Sequence, residues 1–201
     1  MNQKNLEKKI ILGTAQFANK YGITNKFGTT NNQEIKKILR ICKINKVKLI
    51  DTAINYKNVE KKLGKYDLNN FQLITKIPSI PINRKNIQNW ILSIIKKSLK
   101  RLNKKSLYAV LVHNSSDLTG FKKEELYAAL QNLKKKKLVK KVGVSIYDFN
   151  EMKSIIKQYK IDIVQVPLNI LDRRVLNKEI LNFLKKKKIE IHARSIFLQG
   201  L

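Results

Sequence analysis

The feature that most constrains this chain is a repeat of pattern. Seven runs of six to nine mainly apolar residues alternate with six segments of helical periodicity, with no reversal of order. The strands are expected at Ile10–Gln16, Val47–Ala53, Phe71–Ile77, Leu107–His113, Val139–Ser145, Ile161–Val166 and Ile189–Phe197. Between them lie helices with apolar faces at i, i+3, i+4 and i+7. Ile35, Ile38, Leu39 and Cys42 line the first, and Asn58–Lys65 is a short second one. Ile87, Ile91, Ile95 and Leu102 line a long third, with Trp90 beside them; Leu126, Leu130 and Leu133 mark the fourth. Met152, Ile155, Ile156 and Tyr159 mark the fifth, and Leu176, Ile180, Phe183 and Leu184 the sixth. Asn31 with Glu34, and Asp148 with Glu151, have the spacing of capping boxes. Apolar strands alternating with helices mean parallel strands covered by helices. Seven such units in succession define an α/β chain of the (β/α)8 TIM-barrel type more readily than an open sheet.

The pattern stops at Gln199-Gly200-Leu201, directly after the seventh strand. A closed barrel needs one more βα unit. The expectation is therefore one domain over residues 1–201, C-terminally incomplete, with an open edge between the first and seventh strands through which it self-associates.

Composition narrows the function. The net charge is +29, from 43 Lys+Arg against 14 Asp+Glu. That excess would suit nucleic acid. However, Lys (37), Ile (27) and Asn (21) share A/T-rich codons, and 6 of the basic residues are Arg, the type favoured for bidentate contacts. No aromatics interleave with Arg, so specific nucleic-acid binding ranks low. The runs Lys134–Lys137 and Lys185–Lys188 fall where helices end, where cations complement the helix dipole. The longest stretch free of charge, Ser106–Ser116, is too short to span a membrane. Ile10–Ala18 after Lys8 and Lys9 has the outline of a signal peptide, but Thr14 and Gln16 interrupt it and it reads better as a strand. The single cysteine, Cys42, rules out an internal disulfide and a multi-cysteine metal site; it sits on a core face, and the cytoplasm is the expected compartment. No metal is expected.

Chemistry concentrates at strand ends. Asp51 closes the second strand in DTAINY, with Tyr56 five residues on; Lys76 closes the third in ITK; His113 closes the fourth in LVHN. Each taken singly has a plain structural role open to it, as a cap, a surface lysine, a packed ring or a strand-end histidine. Together they form a set with one purpose. A tyrosine is too weak an acid at neutral pH unless a neighbouring ammonium favours its phenolate. A carboxylate would hold the ammonium, and a histidine would hydrogen-bond a carbonyl oxygen. Such a group protonates an oxygen that gains charge as hydride arrives at its carbon.

These strings, with LGTAQF (12–17), VGVS (142–145), VQVPLN (164–169) and RSIFLQGL (194–201), run in the order found in the aldo/keto reductase family, which the chain resembles over nearly its whole length. The resemblance implies NADP(H)-dependent reduction of an aldehyde or ketone, a small-molecule carbonyl substrate, with Tyr56 as proton donor, Lys76 as its pKa-lowering partner, Asp51 as ion-pair partner of Lys76, and His113 orienting the carbonyl. It also implies that Asn114, Ser145 and Gln165 border the nicotinamide, that Gly13 and Thr14 floor the site, and that Ser195, Gln199 and Gly200 belong to a loop over the pyrophosphate. Arg194 stands where the family commonly has an aromatic residue stacked on the nicotinamide. The family's phosphate-binding loop and helix after an eighth strand have no counterpart in the 201 residues, which leaves an inactive barrel remnant as the alternative. The loops Phe17–Thr30 and Asn114–Phe121, with Tyr21, Phe27, Asp117 and Phe121, mix aromatic and polar character and would suit a hydroxylated, sugar-like ligand.

Overall fold

The computed structural model describes residues 10–201. The Lys8–Lys9 flank, and the first nine residues of the expected 1–201 domain, lie outside the described residues. Seven parallel strands form one sheet in the order of the chain: β1 (Ile11–Gly13), β2 (Leu49–Asp51), β3 (Gln72–Ile77), β4 (Leu107–Val112), β5 (Val139–Ser145), β6 (Ile163–Pro167) and β7 (Glu190–Arg194). Helices α1 (Asn32–Ile44), α2 (Val59–Leu63), α3 (Ile87–Leu102), α4 (Lys123–Lys135), α5 (Phe149–Gln158) and α6 (Lys178–Lys186) connect successive strands.

The sheet is curled, and side chains prove it. In a flat sheet β2 and β6, four strands apart, would be separated by about 19 Å. Yet Gln165 Nε2 donates to Asp51 Oδ1 at 3.1 Å across the interior. Tyr108 on β4 likewise donates to Glu190 on β7 at 2.8 Å. Ile74, Ala109, Leu111 and Ile163 fill the tube from inside. Gly143 sits among them because a Cβ there would meet the Ile163 carbonyl oxygen at 2.4 Å and Leu111 at 2.5 Å. The larger core lies outside the sheet, under the helices, where Ile35, Ile91, Ile95, Leu102, Leu130, Met152 and Leu184 are buried.

The helix signals carry over well. Asn31 accepts the Glu34 amide, and Asp148 accepts the amides of Asn150 and Glu151, so both caps form. The lysine runs end α4 and α6, with Lys134, Lys135, Lys185 and Lys186 in the last turns, where they face the carbonyl ends of the helices. Lys137 and Lys188 then take left-handed φ of 56° and 55° to leave the helix.

Three expectations need correction. β1 is three residues long, because Ala15–Phe17 turns into a 3-10 helix where a strand to Gln16 was expected. Leu176 is not part of α6: it ends a separate 3-10 turn (Arg174–Leu176) and is exposed, because Asn177 caps the helix that starts after it. β7 ends at Arg194, and Ser195, at φ 59°, turns the chain away before Ile196 and Phe197, both exposed. Among the described residues, β1 and β7 are not paired with each other.

Candidate active site

The C-terminal ends of β2, β3 and β4 deliver three of the four chemistry-bearing residues to one mouth. Register explains why. Asp51 pairs with Ile74 and Lys76 with Leu111, so Asp51 and Lys76 stand two residues apart in height on neighbouring inward faces. Lys76 Nζ donates to Asp51 Oδ2 at 2.6 Å and to the Thr52 carbonyl at 3.1 Å. Lys76 is 2% exposed, so its ammonium is held by partners rather than water. Asp51 is held in turn: its second oxygen accepts Gln165 Nε2, while its backbone carbonyl accepts the Thr14 hydroxyl and amide.

Tyr56 reaches the same place from the loop after β2. Its ring centroid lies 5.5 Å from Lys76 Nζ, and its ring meets that of His113 edge-on at 6.2 Å. Its electrostatics differ from the sequence expectation. Burial raises the phenol pKa above its ordinary value, and the Asp51 charge adds to the rise, with Tyr21 and Tyr147 contributing; Arg194 is what opposes it. The Lys76 charge is neutralised by Asp51 at 2.6 Å, so the phenol stays protonated at neutral pH. His113 moves the other way. Burial and the nearby Lys76 and Arg194 charges push its pKa below the ordinary histidine value, against the pull of Asp51, so the ring is neutral at pH 7 and carries one N–H.

The residues expected around a nicotinamide divide into two groups. Ser145 and Gln165 are register partners at the tops of β5 and β6, both buried, and put a hydroxyl beside a carboxamide. Gly13 and Thr14 lie at the top of β1, opposite Asp51, and a Cβ on Gly13 would meet nothing within 4 Å, which leaves open space above. Asn114 follows His113, is exposed, and accepts the Ser116 amide. A planar ring bearing a carboxamide fits this donor set. Gln199 and Gly200 are engaged elsewhere, while the Ser195 hydroxyl accepts from Arg194 Nη1 at 3.3 Å. The carbonyls of Gln199 and Gly200 accept the Ile23 amide and the Thr24 hydroxyl, while the amide of Gly200 is used within its own turn. At φ 100°, with a Cβ that would meet Thr24 Oγ1 at 2.2 Å, position 200 tolerates glycine alone. The loop thus docks on the β1–α1 connection.

Among the loop residues, Tyr21 is close enough to influence Tyr56, and Asp117 is partly buried with a pKa raised by that burial. Phe27 and Phe121 are fully exposed. Sequence reasoning missed Tyr147, two residues past Ser145, which carries the Arg194 guanidinium 3.8 Å from its ring centroid. A tyrosine just beyond a strand end was the only available sign. Among the described residues no group of His, Cys, Asp or Glu could hold a metal ion, and no helix is long and apolar enough to cross a membrane.

The fold is that of the (β/α) barrels, with Tyr56, His113 and the Lys76–Asp51 pair gathered at one mouth. The aldo/keto reductase family model matches residues 9–201, and the chain belongs to that family. No curated protein matches it. Among solved structures it is similar to a Pseudomonas aeruginosa protein assigned to the aldo-keto reductases (21% identity, TM-score 0.76, 93% of this chain and 73% of that one). It is also similar to the holo form of a Bacillus halodurans aldo-keto reductase (19%, 0.76, 96% and 63%) and to a Bombyx mori aldo-keto reductase in complex with NADP (17%, 0.71, 93% and 62%). At these identities the likeness is one of fold.

Proposed function

We propose that the chain reduces an aldehyde or ketone to an alcohol with NADPH, Tyr56 giving the proton. The observation that carries this reading is the convergence of Tyr56 and His113 on a buried Lys76–Asp51 pair at one mouth of the tube. When bound, NADPH supplies the hydride to the carbonyl carbon. The chain's own residues manage the oxygen. As charge develops there, neutral His113 donates a hydrogen bond and protonated Tyr56 gives up its proton. The cost of a phenolate in a buried place is opposed by Arg194, and the Lys76 ammonium, 5.5 Å from the ring, would add to that only as far as its pairing with Asp51 leaves its charge unmatched. Asp51 holds Lys76 in position for this and keeps it from the substrate. Ser145, Gln165 and Asn114 would hold the carboxamide of the cofactor, above a floor of Gly13 and Thr14, with the Ser195–Gly200 loop nearby.

The substrate is a small carbonyl compound, and Tyr21 and Asp117 at the loops favour a hydroxylated one such as a sugar aldehyde. The chain works as a single unit, and a lone, buried Cys42 thiol suits a reducing compartment, the cytoplasm. Among the described residues β1 and β7 are not paired with each other, and such edges favour self-association.

The test is NADPH oxidation, followed by absorbance, across a panel running from benzaldehyde to glyceraldehyde, with cofactor binding followed by NADPH fluorescence. The expected result is saturable oxidation with at least one aldehyde. Binding of NADPH without oxidation of any carbonyl would favour an inactive barrel.

A further inference from the structure

Two neighbouring loops at the mouth carry large apolar side chains that no described residue covers. Ile82, in the loop after β3, is 92% exposed, and Phe121, in the loop after β4, is 102% exposed, as open to water as in an extended chain. Backbone hydrogen bonds hold both in place. Ile82 takes the first corner of a turn closed by the Arg84 amide on the Pro81 carbonyl at 2.9 Å. Phe121 takes the first corner of another, closed by the Lys123 amide on the Gly120 carbonyl at 3.2 Å. Lys122 Nζ then joins the two loops into one ledge, donating to the carbonyls of Ile82 at 3.0 Å and Arg84 at 2.5 Å. A third such tip, Phe27, stands in the loop after β1, its amide bonded to Asn25 Oδ1 at 3.0 Å.

Single exposed apolar residues are ordinary, but their distribution here is one-sided. The strands are parallel, so every loop that follows a strand emerges at one end. All three tips are there. Among the described residues, the loops that lead from helix to strand at the other end expose no large apolar side chain.

The ledge is also cationic. Arg84, Lys85, Lys122 and Lys123 lie in it, and residues 78–86 and 118–123 contain no Asp or Glu. Asp117 is turned to Ser79 and Ile80, and Glu124 to Tyr159 and Gln158. Lys122 donates to neutral carbonyls, which leaves its charge unmatched there. Arg84 lies over the ring of Trp90, 5.6 Å from its centroid.

Charge and shape together select the partner. A second copy of a chain at +29 would set like charge against like. A nucleic acid would meet the cations but gain nothing from Ile82 and Phe121. A fully exposed side chain lines no groove, which a partner's helix would need. An anionic bilayer uses both features: its headgroups attract the cations, and protruding apolar tips enter the boundary between headgroups and acyl chains. We propose that the ledge of Ile82 and Phe121, with Arg84, Lys85, Lys122 and Lys123, docks the mouth of the tube on an anionic phospholipid surface.

Trp90, the single tryptophan, reports on this contact from beneath Arg84. The 201-residue chain is mixed at about 0.15 M salt with vesicles of phosphatidylcholine, either pure or carrying about one part in three of phosphatidylglycerol. The expected result is cosedimentation with the anionic vesicles and not with the neutral ones, with Trp90 fluorescence quenched when their acyl chains are brominated. Ile82→Ser combined with Phe121→Ser should lower the partition coefficient at least about tenfold, as the loss of two inserted apolar side chains would, and abolish the quenching. Both side chains stand clear of the fold, so this exchange leaves folding intact. Lys135→Gln combined with Lys136→Gln, about 20 Å away along α4, removes equal charge beyond the Debye length and should change the partition coefficient less than about twofold. Failure to bind anionic vesicles at about 1 mM lipid overturns the proposal. So does binding without quenching of Trp90, or binding weakened as much by the Lys135 and Lys136 exchange as by the Ile82 and Phe121 exchange, either of which assigns the association to net charge alone. Capture on immobilised polyglutamate that depends equally on Ile82 and Phe121 overturns it in favour of an acidic protein.

Discussion

The two sides of the tube are built differently. On the β2–β4 side the charged groups Lys76 and Glu60 are enclosed and partnered, although Thr52 Oγ1 is buried without a partner among the described residues. Lys76 is held by Asp51 and the Thr52 carbonyl. Just outside it, Glu60, 1% exposed, binds Thr75, Ser98 and Arg101 and so ties α2, β3 and α3 together. On the β7 side charge is only half enclosed. Glu190, Lys141 and Tyr108 meet at the floor of the tube beside His192; among the described residues His192 Nδ1 is buried without a partner, and Arg194 has no carboxylate within 4 Å. The difference teaches where the chemistry belongs. On the proposed reading, a proton donor needs fixed distances and a dry surround, and the paired wall suits that task.

The largest expected effect is on that first wall. Lys76→Met should lower kcat for aldehyde reduction by about 10²–10⁴, with NADPH fluorescence showing cofactor binding retained. An undiminished kcat would mean that the paired wall is scaffolding. Next come the buried ion pairs. Asp51→Asn strands the buried Lys76 and should cost about 3 kcal/mol in urea unfolding, while Glu60→Gln leaves Arg101, a third exposed, in reach of water and should cost less, about 1 kcal/mol. A loss below about 0.5 kcal/mol in either would show that the enclosure contributes nothing to stability.

On the β7 side the expected effect is a pH dependence. Burial works against the Glu190 carboxylate, yet hydrogen bonds from His192, Lys141 and Tyr108 outweigh it and hold its pKa down at about 2. The sign follows from linkage: a carboxyl with a depressed folded pKa contributes stability that is present above its unfolded value, near 4.5, and is lost as pH falls toward 2. Thermal melts between those limits should fall more steeply for the native chain than for Glu190→Gln. Parallel curves would remove the floor cluster from the account. Smallest is the helix exit. Lys137, at φ 56°, occupies a left-handed position where glycine is free of strain, and Lys137→Gly should raise stability by about 0.5–1 kcal/mol.

How much of this could be read from residues alone also differs by side. The strands and helices were legible because their apolar periods are long and clean, and β5 runs over the very residues expected, Val139–Ser145. Asp51, Tyr56, Lys76 and His113 were legible because strand ends in a parallel barrel face one way. The direction of the Tyr56 pKa was not. It depends on burial and on Asp51 cancelling Lys76, which are distances rather than letters. Nor could periodicity foresee the β7 side. Leu176 continues the helical spacing of α6 yet sits outside it, because Asn177 caps the helix. Tyr108, Lys141, Glu190 and His192 come from three strands and look like ordinary polar residues until the sheet curls.

The claim under everything is that Tyr56 gives the proton. Single-turnover oxidation of bound NADPH by benzaldehyde, native chain against Tyr56→Phe, tests it most directly. Native oxidation is expected, with a rate at least about 10²-fold slower in the variant. Equal rates, or a native chain that binds both molecules and leaves the NADPH unoxidised, would contradict it.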